Sequence, residues 1–462
     1  MEKEKHEDIE EDEYRNNKIF ECYKFFQEKI QSLEGISEPD NKLKLNAVIT
    51  GDKKNVDYKS LAFVRVGLGD EDNEQEIFDT VNSYGVNLLV SDLIKNFIFS
   101  DKFWGDRKNA EECYKKYWQY IFEQDEMVTW WDKKISRGRD KIANIEAFLY
   151  AFLIVMRTLE SPGKAKRVKF HNMFKEYKKI VTEYHKKNKL KELLIQMQGY
   201  AITYFNDFLP IIPKDEMRFD EVEKRLFATL TYDGMSLADP LILYCYHNFK
   251  SNTKRAKFSS SLDSYLVRRL VCKMPKGDYD TLFIESLSFM ANDKGNFNDF
   301  IIHATNKNDN IRMPNNMEFK ECFAQVHPRN KLPHLLLYSI ALKQLISTND
   351  DSRVPYKNTV EHIMPKTWRN TVWQDYNMGY EEELNRDNTI KTIGNLTLVK
   401  QAVNSSIGNK SWSRKKAELK KYCRLELTTD FLDKDSWTED DIDIRGMKLF
   451  NIATKVWPYI SR

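Results

Sequence analysis

The chain has 462 residues, 41% hydrophobic and 13% aromatic, which is enough for one large domain or two to three ordinary domains. The 73 basic residues nearly balance the 70 acidic ones, so net charge excludes no class of partner. No apolar run reaches the roughly 20 residues of a membrane-spanning helix. The acidic start "MEKEKHEDIEED" lacks the apolar core of a signal peptide. These features predict a soluble, cytoplasmic protein.

Cysteine spacing gives no sign of a disulfide framework or a zinc ribbon. The chain has six scattered cysteines and no CxxC pair: Cys22, Cys113, Cys245, Cys272, Cys322 and Cys423. This pattern favours reduced thiols in an intracellular protein.

The sequence from Tyr14 to about Leu345 is mainly helical in period, because apolar residues recur at steps of three and four. One example is "IFECYKFFQEKI", in which Ile19, Tyr23, Phe26 and Ile30 share a helix face. A short β-branched stretch, "LAFVRVGL" at 61–68, predicts a strand.

Two further helices are predicted around Gly85, where the left-handed backbone that ends a helix is easiest to form. The second would be capped by Ser91 or Asp92. Its predicted apolar stripe consists of Leu93, Ile94, Phe97 and Ile98. Later predicted helices cover 142–159, 171–185, 190–208, 219–231, 237–248, 262–272 and 332–345.

The residue pattern of the sequence changes after "STNDDSR" at 347–353. This stretch predicts a turn or linker and a domain boundary. "NTVEHIM" and "TIGNLTLV" alternate as strands do, the second after the turn-like "NRDN". A basic helix is predicted over 412–422 with Ser413 as its cap. In the final helix, Thr438 and Asp441 are predicted to form a capping box.

Three stretches after this boundary combine residue types suited to phosphodiester hydrolysis: "EHIMP" at 361–365, "GNLTLV" at 394–399 and "NSSIGNKSW" at 404–412. A neutral His362 can accept a proton from water. The oxygens of Glu361 and Asn404 suit a hard divalent cation. Neighbouring strand residues point to opposite faces, so Glu361 and His362 share a site only if the strand ends there, as Pro365 favours.

The three stretches, in the order strand, strand and helix, resemble the HNH nuclease motif, or ββα-metal finger. They resemble in particular the C-terminal module of the GmrSD type IV restriction enzymes. The resemblance implies a mainly α protein ending in a small ββα-metal domain that cleaves foreign DNA. It implies that His362 is the general base, that Glu361 and Asn404 stand at metal positions, and that Asn395 braces the loop and orients the base.

The same resemblance has implications for which metal is bound and for how the small module is stabilised. Mg²⁺ or Mn²⁺ fits oxygen and amide ligands better than zinc does. Zinc-supported HNH modules carry CxxC pairs, which this chain lacks. Its small core is therefore expected to rest on apolar packing from flanking helices. The stretch from Trp437, with Arg445, resembles the closing helix of the module.

A second resemblance lies upstream, where "EIFDTVNSYGVNLLVSDLIKNFIF" at 76–99 resembles a segment of the GmrS-type half of this family. In that half the segment follows a ParB-like region with a "DGQQR" motif, and no such motif occurs here. We therefore expect a separately encoded ParB-like nucleotide-hydrolysing partner, or a truncated product. The predicted domains are a GmrS-type helical remainder with a short strand at 1–125, a helical middle domain at 126–347 and the HNH domain at 348–462.

The stretch from Lys400 to Arg424 has eight basic residues against one acid, Glu418. A phosphate backbone passing the HNH motif would meet this stretch, and each neutralised phosphate adds affinity without reading sequence. The predicted phosphate contacts are Lys410, Arg414, Lys415 and Lys416.

Other interpretations remain open at this point. Most other histidines, including His247, His303 and His334, lie in helical patterns and are expected to be structural or on the surface. His327 beside Arg329 could lie at a domain junction. The chain could also be an inactive helical scaffold for a nucleotide-hydrolysing partner, or a toxin that cleaves RNA.

Overall fold

The computed structural model describes residues 21–25, 28, 89–137, 140–161, 168–208, 217–305, 308–326, 331–347 and 354–461. Nearly all of them lie in the second of two compact units, residues 79–462. Residues 21–25 are helical, in agreement with the predicted first helix. The predicted strand at 61–68, the helix end at Gly85, most of the linker at 347–353 and His327 lie outside the described residues.

The structure is mainly α-helical, as the sequence predicts. The first part contains α1 (Val90–Ile98), α2 (Asp101–Trp104), α3 (Arg107–Tyr114), a π-helical turn (Lys115–Gln119), α4 (Tyr120–Phe122), α5 (Asp125–Trp131), the hairpin β1 (Lys134–Arg137) and β2 (Asp140–Ala143), α6 (Asn144–Glu160), a 3₁₀ turn (Phe170–Asn172), α7 (Met173–Lys186) and α8 (Leu190–Asp207).

The middle of the chain continues as helices. They are α9 (Val222–Asp233), α10 (Asp239–Asn248), α11 (Asn252–Val271), α12 (Tyr279–Ala291), α13 (Phe297–Thr305), a 3₁₀ turn (Asp309–Ile311), α14 (Asn316–Ala324) and α15 (Leu332–Ser347).

The last part mixes strands and helices. It contains β3 (Thr359–His362), α16 (Tyr380–Thr389), a 3₁₀ turn (Ile393–Asn395), β4 (Leu396–Val399), α17 (Gln401–Ile407), α18 (Trp412–Tyr422), α19 (Glu426–Thr429) and α20 (Glu439–Val456).

An aromatic core holds the first part together. Helix α6 is apolar on nearly every face and most of its side chains are buried, as expected for a helix surrounded by others. Trp131 stacks on Tyr204 at 6.0 Å between ring centroids. The Trp131 indole donates to the Ile121 carbonyl at 2.8 Å, so the polar edge of the buried ring has a partner.

Several predicted helix boundaries are wrong. Helix α1 begins at Val90 rather than after Ser91 or Asp92, and its first N–H donates to the Glu146 carboxylate at 3.1 Å. The cap residue of α18 is Ser411, not Ser413. The "NRDN" segment lies inside α16 instead of forming a turn. Helix α11 begins ten residues before the predicted start at 262.

Helix α15 forms the centre of a second core that also contains strand β4 and helix α20. Leu336, Leu396 and Leu449 are all fully buried in it. The end of α20 is also tied to α11, since Arg268 donates to the Trp457 carbonyl at 2.8 Å. The Trp457 indole in turn donates to Asp263 at 3.0 Å. Hydrogen bonds between buried polar groups thus join the middle helices to the end of the chain.

The predicted order of strand, strand and helix is confirmed. Strands β3 and β4 are antiparallel, and α17 follows β4 directly. The second strand is shorter than predicted, because residues 393–395 form a 3₁₀ turn before it. Helix α20 begins with the predicted capping box, in which Thr438 and Asp441 bond each other's backbone N–H groups.

Helix α20 crosses the 3₁₀ turn so closely that only glycine fits at position 394. A Cβ atom placed on Gly394 would lie 2.1 Å from the Ile442 carbonyl oxygen and 3.0 Å from the Gly446 nitrogen. Both neighbours are helix backbone and cannot move independently of the helix. A Cβ on Gly446 would make only ordinary contact, at 3.8 Å from Gly394.

We therefore expect Gly394→Ala to lower the free energy of unfolding of the C-terminal part by roughly 3 kcal/mol, because α20 must move outward. Urea denaturation followed by tryptophan fluorescence would measure the change, since Trp437 and Trp457 flank α20.

Gly446→Ala is the matched control on the same contact. It should leave stability unchanged or raise it by up to about 1 kcal/mol, because alanine favours a helix interior. Equal stability of both variants would contradict the close approach.

Candidate functional site

The candidate catalytic residues lie at the end of strand β3. Glu361 pairs with Thr397 across the hairpin, and His362 pairs with Leu396. Pairing does not end before His362, because the next N–H, that of Ile363, still donates to the Asn395 carbonyl at 2.9 Å. Glu361 and His362 are both partly buried.

Asn395 braces the segment that follows His362. Its Oδ1 accepts from the Met364 N–H at 2.8 Å and from the Trp437 indole at 3.2 Å. Its Nδ2 donates to the carbonyls of Met364 at 2.8 Å and Ile390 at 2.9 Å. The side chain is fully buried with its amide donors and acceptor engaged. Asn395 therefore fixes the exit of β3 through backbone contacts and does not face the reacting groups.

Arg445 holds the other side of the same turn. Its guanidinium donates to the carbonyls of Gly394 at 2.7 Å, Leu396 at 2.8 Å and Leu427 at 2.7 Å. Asp430 is its nearest carboxylate, at 3.4 Å. Burial lowers the pKa of Arg445, while the charge of Asp430 opposes this shift. The closing helix is thus joined to β4 by hydrogen bonds to a buried cation.

Lys415 occupies a position that the sequence did not predict. Its ammonium lies 2.8 Å from Glu361 Oε1 and 2.7 Å from the His362 carbonyl oxygen. The Lys415 side chain is 0% exposed and that of Glu361 is 13% exposed. Burial lowers the pKa of Lys415, and Glu361 opposes that shift. Lys415 was predicted to contact phosphate at the protein surface. Its buried ammonium cannot reach a phosphate group in solvent.

Asn404 lies on the same side of β3 as Glu361. Its Nδ2 donates to the Thr359 hydroxyl at 3.0 Å and to the Val360 carbonyl at 3.3 Å. Thr359 and Glu361 are two residues apart on the strand, so their side chains project from one face. Donation through Nδ2 leaves Oδ1 as the oxygen that can bind another group.

These oxygens fit a hard cation that retains several waters. The described hydrogen bonds of Glu361 involve Oε1 only, and those of Asn404 involve Nδ2 only. Mg²⁺ usually binds through one or two carboxylates and keeps part of its hydration shell. Among the residues that the structure describes, no group of three His, Cys, Asp or Glu side chains could hold a metal. A site here would therefore depend on the asparagine and on water.

The residues predicted to contact phosphate differ in how exposed their side chains are. Lys410 and Arg414 are exposed. Lys416 donates to the Lys434 carbonyl at 2.8 Å and is about one-fifth exposed. The turn before α18 is held against the segment after β3, since the Trp373 indole donates to the Lys410 carbonyl at 2.9 Å. Lys410 thus lies on a loop anchored near the end of β3.

Two other histidines have structural surroundings. His247 stacks on Tyr200 at 3.9 Å between ring centroids, and its Nδ1 lies 3.0 Å from the Thr203 hydroxyl. His334 lies beside the Tyr356 carbonyl, 3.1 Å from Nε2. Burial lowers the pKa of both imidazoles. Both are embedded in the packing of helices, as expected.

Residues 313–452 match a protein family described as GmrSD restriction endonucleases, C-terminal domain. The chain is GmrSD-like. The matched range contains β3, β4, α17 and α18, and with them all eight candidate site residues. The match over this range supports a nuclease that acts on DNA.

The match to the GmrSD C-terminal domain begins upstream of the predicted domain boundary. It includes α14 and α15, which pack in the same core as β4 and α20. A search of curated proteins gave no match. None of the described helices is long and apolar enough to cross a membrane.

We expect Asn395→Ala to destabilise the matched region, residues 313–452 (the GmrSD-type domain), by about 3 kcal/mol, because it leaves several buried donors and acceptors without partners. Thermal unfolding followed by near-UV circular dichroism would measure the loss. Asn409→Ala is the control, since Asn409 is exposed and donates only to Thr367 among the described contacts. That control should change stability by less than about 0.5 kcal/mol. A similarly small effect at both positions would show that Asn395 does not brace the turn.

Proposed function

We propose that the GmrSD-type domain is a metal-dependent HNH endonuclease that hydrolyses DNA phosphodiester bonds. One observation carries this proposal: the hairpin and α17 bring Glu361 and Asn404 to one face of β3, next to the strand end at His362. Asn404 follows Glu361 by 43 positions along the chain. Its side chain nevertheless bonds β3, the strand that carries Glu361 and His362.

His362 is assigned as the general base. An imidazole is the side chain whose ordinary pKa allows it to accept a proton near neutral pH. Lys415 bonds the carbonyl of His362 and Asn395 bonds the N–H of Met364, so the backbone that follows the imidazole is held in place.

Glu361 and Asn404 are assigned to hold Mg²⁺ or Mn²⁺ through Glu361 Oε2 and Asn404 Oδ1. A bound divalent cation would stabilise the negative charge that develops on the scissile phosphate and the leaving oxygen. Asn404 is oriented for this by its two donations to β3, which turn its oxygen away from the strand.

Lys410 and Arg414 are assigned to the phosphate backbone of the DNA. Both are exposed; Lys410 lies in the turn between α17 and α18, and Arg414 lies in the first turn of α18. Such contacts position the duplex without reading bases. Lys416, also on α18, is not assigned to DNA, because its ammonium donates to the Lys434 carbonyl.

Within the restriction function of the family, we propose that the chain defends the cell against phage DNA and that base modification licenses cutting. The resemblance of residues 76–99 to a segment of the GmrS-type half supports a ParB-like partner for nucleotide hydrolysis. Nuclease assays distinguish this function from an inactive scaffold and from an RNA-cleaving toxin.

His362→Ala should lower the rate of plasmid nicking in Mg²⁺ or Mn²⁺ by about 10²- to 10⁴-fold, the range over which a positioned acid or base contributes. Removal of metal with EDTA should abolish nicking by the wild type. Any modified DNA and any partner that the wild type requires must be present in every reaction.

His303→Ala is the matched control, because His303 lies exposed on α13 in the middle of the chain. It should nick like the wild type. Equal residual activity of the wild type and His362→Ala would instead favour the scaffold, and a preference for RNA over DNA would favour the toxin.

The double variant Lys410→Ala/Arg414→Ala should bind DNA more weakly. The slope of log affinity against log salt should also become shallower by about 1 to 2, as each lost phosphate contact removes about 0.9. Fluorescence anisotropy at several salt concentrations would measure both quantities. Lys175→Ala, on the exposed face of α7, should alter neither. An unchanged slope in the double variant would place the DNA elsewhere.

A further inference from the structure

A buried ammonium already occupies one oxygen of the carboxylate assigned to the metal. Lys415 Nζ lies 2.8 Å from Glu361 Oε1, and the Lys415 side chain is 0% exposed. Lysine is almost never fully buried unless its charge is paired. The position is therefore a specific ion pair within the site and not part of the exposed basic surface.

The surroundings of Lys415 are built to hold its charge. It lies on the face of α18 that packs inward, in the same turn as the buried Trp412 and one turn before Leu419. Its ammonium also donates to the His362 carbonyl at 2.7 Å. It thus contacts the side chain of one proposed site residue and the backbone of the next.

We propose that Lys415 is an internal counter-ion that neutralises Glu361 in the metal-free protein and competes with the divalent cation for that carboxylate. This inference rests on the proposed function, because it takes Glu361 as a metal ligand. Lys415 is a positioning residue and touches neither water nor DNA in this assignment.

The competition follows from the charges. A partly buried carboxylate without a partner is costly, so an ammonium beside Glu361 stabilises the domain when metal is absent. A divalent cation on Glu361 Oε2 would lie close to the same ammonium, and two like charges at short range repel each other. Removing the ammonium should therefore weaken the metal-free fold and strengthen metal binding.

The test compares wild type with Lys415→Gln, which retains a donor for the His362 carbonyl but loses the charge. Calorimetric titration with Mn²⁺ and no DNA should show tighter binding by the variant, by about tenfold or more. Thermal unfolding without metal should occur at a lower temperature in the variant. Saturating Mn²⁺ should raise the unfolding temperature of the variant more than that of the wild type.

Lys434→Gln serves as the control, because it removes an exposed lysine that pairs with Asp441 at 3.0 Å in the same domain. It should leave Mn²⁺ affinity unchanged. Lys415→Arg, which keeps the charge, should bind Mn²⁺ no more tightly than the wild type does.

Equal or weaker Mn²⁺ binding by Lys415→Gln overturns the proposal, and so does failure of that variant to fold in saturating Mn²⁺. Absence of Mn²⁺ binding by both proteins overturns it as well. The nicking assay with His362→Ala reports separately on the proposed function, because it does not involve Lys415.

Discussion

The hydrogen bonds of the Asn395 amide fix the turn at which the candidate site is built. This buried side chain joins three pieces of chain: the exit of β3 at Met364, the end of α16 at Ile390 and the approach to α20 at Trp437. A buried amide that lost one of these partners would incur the desolvation penalty of the group left behind. The three pieces are therefore held in one arrangement, and the backbone of His362 is fixed by contacts remote from its ring.

Buried cations support this arrangement in a domain whose apolar core is small. Arg445 bonds three carbonyls around β4, and Lys415 joins α18 to the end of β3. Beside them, Trp368, Trp412 and Trp437 pack in a third apolar core. Trp412 lies on α18, whereas Trp368 and Trp437 lie in loops, so loops and helices both contribute to this core.

The helical part of the chain and the candidate site share one core. Leu336 on α15 packs in the same cluster as Leu396 on β4, next to the register partner of Glu361. Arg268 on α11 bonds the carbonyl at the end of α20. The middle helices α15 and α11 thus help to hold the hairpin and the closing helix in place. The predicted division at residue 348 stays a prediction.

The sequence by itself determined the class of the fold and the order of the elements around the site. Periodic apolar residues predicted about half of the described helices, among them α6, α8 and α20, and alternation in "NTVEHIM" and "TIGNLTLV" predicted the two strands, because these patterns depend on local geometry. The capping box at Thr438 was predictable for the same reason, since its bonds span only three residues. The candidate residues Glu361, His362 and Asn404 were also recognisable from their types and order.

Only the tertiary structure decided how those residues meet. Lys415 stood among exposed basic residues in the sequence, but α18 turns it inward onto a carboxylate 54 positions away. Gly394 is required by helix backbone nearly 50 positions later. Glu146 replaces the local cap of a helix 56 positions before it. Such partners are distant along the chain, and local periodicity contains no information about which distant groups will lie side by side.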